Sequence, residues 1–202
     1  MKFDGTFELD NVTSEEVWLA LSDPYMIKTA LPGCVFLVEI DGDPDWEALK
    51  EDAEGSEDPP ILPDATPEEV ADRAFVEGGR YAALIELSVG GVKPSFETEV
   101  TIAEREFPRM SAEGEGSASG STFEMSAWME LTETDDGVEV VWEAEADVFG
   151  RIAQFGSRVI NPVANRVVNQ FFDNVADRIQ DVSDDEETDG ADGLRDRVRG
   201  LF

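Results

Sequence analysis

No histidine occurs anywhere in the 202 residues, and there is a single cysteine, Cys34. The first absence removes Ser-His-Asp and Cys-His catalytic arrangements and every His-based metal site. The second excludes an intramolecular disulfide and fits a cytoplasmic setting. Cys34 follows Pro32-Gly33 in a turn, where a lone cysteine is more often packing than nucleophile. No run of the chain approaches the eighteen or so consecutive apolar residues of a membrane span, so an integral membrane protein is not expected. The opening MKFDGTFELD reads as an alternating strand and not as a secretion signal. Carboxylates abound, yet their spacing singles out no acid-base pair. No catalytic residue, metal ligand or cofactor is therefore expected.

Positive charge is the other scarcity. Forty-seven Asp and Glu face fifteen Lys and Arg, a net charge of −32. Residues 41–78 hold fourteen acids and two bases, residues 181–192 seven acids and no base, and residues 193–202 one acid and three arginines. Twenty-five acids and ten bases remain on the rest, so the folded body is acidic and not only its appendages. Self-repulsion on this scale opposes compaction unless salt screens it. Near-molar salt shortens the Debye length to about 3 Å, which points to a salt-in, haloarchaeon-like halophile. Nucleic acid is not expected as a partner of such a surface.

What is present is strong periodicity. Phe3, Gly5, Phe7 and Leu9 alternate with polar residues as a half-buried strand. Thr13 and Glu16 form a capping box, with Val12 and Val17 placed for a hydrophobic staple. Asp23-Pro24 ends that helix, a second short helix follows to Leu31, and a strand runs from Cys34 to Ile40. Residues 41–79 are rich in Pro, Asp and Glu and read as a solvated insertion with at most two short helices, one starting at Thr66-Pro67. Five further strands follow, Arg80–Val89, Pro94–Glu104, Arg109–Ser117, Ser121–Glu133 and Val138–Val148, with short turns between them. From Gly150 to Ile179 two apolar columns at helical spacing predict one long helix, which Pro162 is placed to kink midway. The order gives an α+β fold: a curved antiparallel sheet of about seven strands around a long C-terminal helix.

The apolar face between sheet and helix is the best candidate site. From the strands come Phe36, Leu87, Phe96, Met110, Phe123, Met125 and Trp142, and from the helix Phe155, Val159, Val163 and Phe171. Small residues among them, such as Gly114, Gly116 and Ala144, leave space, and methionines adapt to varied apolar shapes. Residues 181–192 read as an acidic tether. In the ten-residue tip beyond it, Leu194, Val198, Leu201 and Phe202 share one face while Arg195 and Arg199 face away, an interfacial pattern suited to weak, reversible membrane contact.

The segments FDGTFELDNVTSEEVWLALSDPYMIKTALPGC, GGVKPSFETEV, GEGSASGSTFEMSAWMEL and GRIAQFGSRVINPVANRVVNQFF together resemble the CoxG family, the G-subunit family of carbon monoxide dehydrogenase. The resemblance covers about residues 2–40 and 80–180; the insertion at 41–79 departs from it. It implies a START-like (SRPBCC) helix-grip domain over residues 1–180, with an apolar cavity. It also implies an accessory protein, without catalysis of its own, that binds a quinone or lipid-like molecule. The implied partners are a molybdenum hydroxylase of the carbon monoxide dehydrogenase type and the inner face of the cell membrane. The alternatives are an enzyme of the polyketide cyclase type on the same fold, and a protein-binding module that uses the insertion.

Overall fold

Period-two alternation along the chain resolves into a single sheet. The computed structural model describes residues 1–87 and 93–189. Its strands are β1 (Lys2–Asp10), β2 (Cys34–Glu39), β3 (Arg80–Glu86), β4 (Ser95–Glu106), β5 (Arg109–Ala118), β6 (Ser121–Glu133) and β7 (Gly137–Gly150). They lie in the order β1-β7-β6-β5-β4-β3-β2, so β3 to β7 form a meander and β1 and β2 are the two edges. Each neighbouring pair is antiparallel.

The chain must cross from one edge of the sheet to the other between β1 and β2. Helices α1 (Ser14–Ser22) and α2 (Pro24–Ala30) make that crossing. The capping box that starts α1 is formed: the Glu16 amide donates to Thr13 Oγ1 (3.3 Å) and the Thr13 amide to Glu16 Oε2 (2.6 Å). Asp23 ends α1 and caps α2, its Oδ1 accepting from the Tyr25 amide at 3.0 Å, with Pro24 at the first helical position.

Residues 41–79 contain the two expected short helices, α3 (Trp46–Gly55) and α4 (Pro67–Asp72). The segment is not merely a solvated loop, however. Leu62, Ala65, Val70 and Phe75 are buried in the main core beside Trp18 and Met26. An ion pair bolts it in place. Arg73 reaches both carboxylate oxygens of Asp23 (3.0 and 2.6 Å) and the Pro60 carbonyl (2.7 Å), and its guanidinium stacks on Tyr25. The helix α3 goes elsewhere. It covers the outer face of the sheet, where Phe36, Ala82 and Leu84 make a second small core with Trp46 and Leu49.

The long helix is present with shifted bounds. A 3-10 turn, Ile152–Phe155, and Gly156 at φ 68° precede α5 (Ser157–Asp189). The periodicity from Gly150 therefore belongs to two elements and not one, because Gly156 turns the chain out of helical geometry between them. Pro162 is the sixth residue of α5, near its start and not midway. The 33 residues of α5 span roughly 50 Å. They continue through the first nine residues of the expected tether, and the amphipathic tip 193–202 lies outside the described residues. Phe172, Val175 and Ile179 are buried against the sheet, α1 and α2. Asn174 Nδ2 donates to the Ala30 carbonyl at 2.8 Å, fastening this half of the helix to the end of α2. Towards the start of α5 the apolar residues are only half-buried.

Candidate functional site

That difference in burial along α5 opens an apolar cavity between the first half of the helix and the sheet, about 320 Å³ in volume. Its wall is built from β3, β4, β6 and β7 on one side and from Ile160, Val163, Ala164, Val167 and Val168 of α5 on the other. Ile152 of the 3-10 turn closes part of one end, held there because its amide donates to Ser121 Oγ at 2.8 Å. Phe3, Phe96, Phe123 and Trp142 supply the aromatic surface. The polar residues in the wall are few: Thr98 and Ser121, both buried, and Glu145, which pairs with Lys2 at the edge. A volume of this size sits at the lower end of small-molecule sites, enough for one ring system or a short chain.

Glycine gives the cavity its depth. On the inner face Gly5, Gly114 and Gly116 are the direct cross-strand partners of Trp142, Met125 and Phe123. Each large side chain leans over its glycine, so that a Cβ there would stand 3.1 Å from the Trp142 ring, 2.9 Å from Met125 Cγ and 2.7 Å from the Phe123 ring. Side chains lying across the sheet leave the space above it unfilled; side chains standing up would reach the helix.

Six of the eleven residues singled out from the sequence line this cavity: Leu87, Phe96, Phe123, Met125, Trp142 and Val163. The other five do not. Phe36 is on the opposite face, packed on Trp46 (ring centroids 6.4 Å), because the pairing of β2 with β3 shifts between Cys34 and Phe36 and turns its side chain outward. Met110 is buried in the closed core. Phe171 packs on that same core, its ring 5.1 Å from Phe172. Phe155 and Val159 face solvent, 46% and 38% exposed. Phe3 and Ser121 are wall residues that the candidate set lacks, and the alternation of β1 already put Phe3 on the inner face.

Nothing else among the described residues offers comparable chemistry. No group of three or more Cys, Asp or Glu is arranged to hold a metal ion. Burial pushes the Cys34 thiol up to about 12, with Sγ 3.4 Å from the Phe36 carbonyl, so it carries almost no thiolate at neutral pH. A larger depression, about 460 Å³, lies on the outer face, but Glu99, Glu113, Glu115, Glu124 and Asp147 crowd it. Carboxylates so placed keep their water, and the dry inner cavity is the better receptor. No described helix is long and apolar enough to cross a membrane.

Known proteins share this architecture. A conserved protein from Geobacillus kaustophilus superposes with a TM-score of 0.65 at 18% identity, over 90% of this chain and 96% of that one. The ZhuI aromatase/cyclase from Streptomyces sp. R1128 does so with 0.57 at 10% identity, over 95% and 99%. Ara h 8.0201 gives 0.54 at 10% identity, over 90% and 98%. Identities this low show the fold alone, which is the START-like helix-grip fold. No curated protein matches at the level of sequence. A family match does exist, over residues 72–180, the stretch that carries β3 to β7 and the first part of α5. Most of the cavity wall falls inside it, and by that match the chain belongs to the CoxG family, the G-subunit family of carbon monoxide dehydrogenase.

Proposed function

We propose that this protein binds an uncharged, membrane-soluble molecule, a quinone or a lipid-like compound, in the cavity under α5. The observation that carries this reading is a dry, aromatic-walled space of about 320 Å³ between sheet and helix. A charged ligand would lose its hydration there without finding a counter-charge. Membership of the family supports a role beside a molybdenum hydroxylase of the carbon monoxide dehydrogenase type, as an accessory without catalysis of its own. A cyclase-type enzyme would need polar groups converging on its substrate, and the wall offers two hydroxyls, of which Ser121 already accepts from the Ile152 amide. The C-terminal tip would bring the protein to the inner face of the cell membrane. The charge of −32 supports a cytoplasm rich in salt as the setting.

The test is titration of the protein with menadione in high salt, followed through Trp142, which lies in the wall. Saturable quenching, together with a quinone or lipid recovered by solvent extraction of protein from its own host, is the expected result. A protein that is empty on extraction and shows no saturable quenching would exclude the reading.

A further inference from the structure

Acidic residues are spread along most of the chain, and the longest stretch without them lies near its end. From Val148 to Phe172 there is no Asp or Glu at all, and there are three arginines, Arg151, Arg158 and Arg166. No other acid-free run in the chain is as long. The structure puts this run along the cavity: the end of β7, the 3-10 turn and the first half of α5, which supply Val148, Ile152, Ile160 and Val163 to its wall. Exposed apolar side chains gather on the same run, Phe149 (57% exposed), Phe155 (46%) and Val159 (38%).

Other arginines are differently placed: Arg73, Arg80 and Arg109 are engaged with carboxylates, and Arg105 of β4 lies over the Trp18 ring. Arg178, farther along α5, is exposed but sits beside Asp177 in the sequence. Arg151, Arg158 and Arg166 are exposed and join no ion pair among the described residues. Lys93 is exposed in the connection between β3 and β4, between Leu87 and Phe96, which both line the cavity.

We infer that this face, with Phe155 and Val159 at its centre and Arg151, Arg158 and Arg166 around them, docks on an anionic lipid bilayer. Apolar side chains ringed by arginine match the acyl and phosphate layers of such a surface. Elsewhere on the described surface Asp and Glu outnumber Lys and Arg. In a cytoplasm near molar salt, charges beyond about 3 Å are screened, so the side that touches the bilayer decides attraction or repulsion, not the net charge, and the apolar side chains carry most of the hold. An acidic side is turned away and the acid-free side is held, which sets the orientation with the α5 side of the cavity against the lipid. Docking is thereby assigned to the fold itself and not to the C-terminal tip alone. Its purpose, passage of an apolar molecule between bilayer and cavity, rests on the function proposed above; the docking itself does not.

Flotation of the full-length protein with phosphatidylglycerol/phosphatidylcholine vesicles tests the inference. The variants are Phe155→Asp/Val159→Asp, Arg151→Glu/Arg158→Glu and Arg195→Glu/Arg199→Glu, each checked for wild-type circular dichroism and menadione affinity. Phe155, Val159, Arg151 and Arg158 are not residues of the cavity wall. The first pair is expected to abolish flotation at every salt concentration. The second is expected to weaken it about tenfold or more at the lowest salt that keeps the protein folded, and less in high salt. Wild-type flotation of both variants would overturn the inference, as would a wild-type protein that ignores anionic vesicles, or loss of flotation in the Arg195/Arg199 variant alone. A wild-type protein that floats but does not take up menadione would leave docking standing and remove the cavity function instead.

Discussion

The two ends of the helix–sheet interface are built from the same kinds of residue at the same spacing and do opposite things. Beyond about Phe171, α5 presses Phe172, Val175 and Ile179 onto Leu9, Val138 and Val140, with α1 and α2 sealing the end. Phe172 is gripped by three rings, Phe7 at 5.0 Å, Phe171 at 5.1 Å and Trp142 at 6.1 Å. Before Phe171, Ile160, Val163, Ala164 and Val167 look across a gap at a sheet whose glycines let the neighbouring side chains lie down. One end converts apolar area into stability; the other holds it in reserve for a ligand. Trp142 touches both, packing on Phe172 and lining the cavity.

The largest test of this division is to delete one large side chain from each end. Phe172→Ala removes a buried ring from a packed site and is expected to cost about 3–5 kcal/mol by chemical denaturation. Val163→Ala, in the wall of a space already empty, should cost about 1 kcal/mol and chiefly weaken menadione binding. Equal losses of stability would mean that the open end is packed in solution.

Part of this division is legible in the residues themselves. The alternations of β6 and β7 identify the inner face correctly, because a half-buried strand must alternate. The two columns of α5 likewise find its sheet-facing stripe from Ile160 onward, while Val159 before it is exposed. What periodicity cannot show is where along that stripe the helix touches the sheet: Ala164 and Val175, eleven residues apart, lie on one side of the helix, yet the first lines the cavity and only the second is fully buried. Phe36 falls on the outer face through a register shift beside Cys34, which depends on backbone pairing and leaves no mark in side-chain pattern. Phe155 fits the helical column, but Gly156 separates it from the helix. In residues 41–79 a high density of Pro, Asp and Glu conceals four core residues, Leu62, Ala65, Val70 and Phe75, whose spacing matches no regular period.

That concealed contribution yields the next predictions, which sharpen the picture of the closed end. Leu62 is 2% exposed in the main core, and Leu62→Ala should destabilise by about 3 kcal/mol, which a solvated insertion would not. Arg73→Ala should cost a similar amount, about 3 kcal/mol, since it leaves the Asp23 carboxylate, 1% exposed, without its cation. Both are read from denaturation midpoints, and neither should alter menadione affinity, because neither residue belongs to the cavity wall. An insertion that could be mutated at these two positions without loss would be an appendage after all.

The smallest effect expected is the most informative about the open end. At Gly114 an added methyl meets Met125 at 2.9 Å from Cγ and 3.3 Å from Sδ, while the nearest backbone atom, the Glu99 carbonyl oxygen, is at an ordinary 3.5 Å. Only a flexible side chain has to move. Gly116 is different, since a methyl there would run into the Glu97 carbonyl and disrupt the pairing of β4 with β5. Gly114→Ala should therefore fold with a stability within about 1 kcal/mol of wild type, the entropy gained by replacing glycine offsetting the readjustment. Its effect should fall on the cavity. Met125, lifted off the sheet, takes up space beneath α5, and menadione affinity should drop about tenfold, equivalent to about 1.4 kcal/mol. Gly114→Ala/Met125→Ala, which removes the lifted side chain, should restore it. Rescue by the double variant would show that the glycines keep the open end open, by letting larger residues lie flat. If Gly114→Ala binds as tightly as wild type, Met125, already 37% exposed, has swung out to solvent. The depth of the cavity would then depend on the position of α5 and not on the floor beneath it.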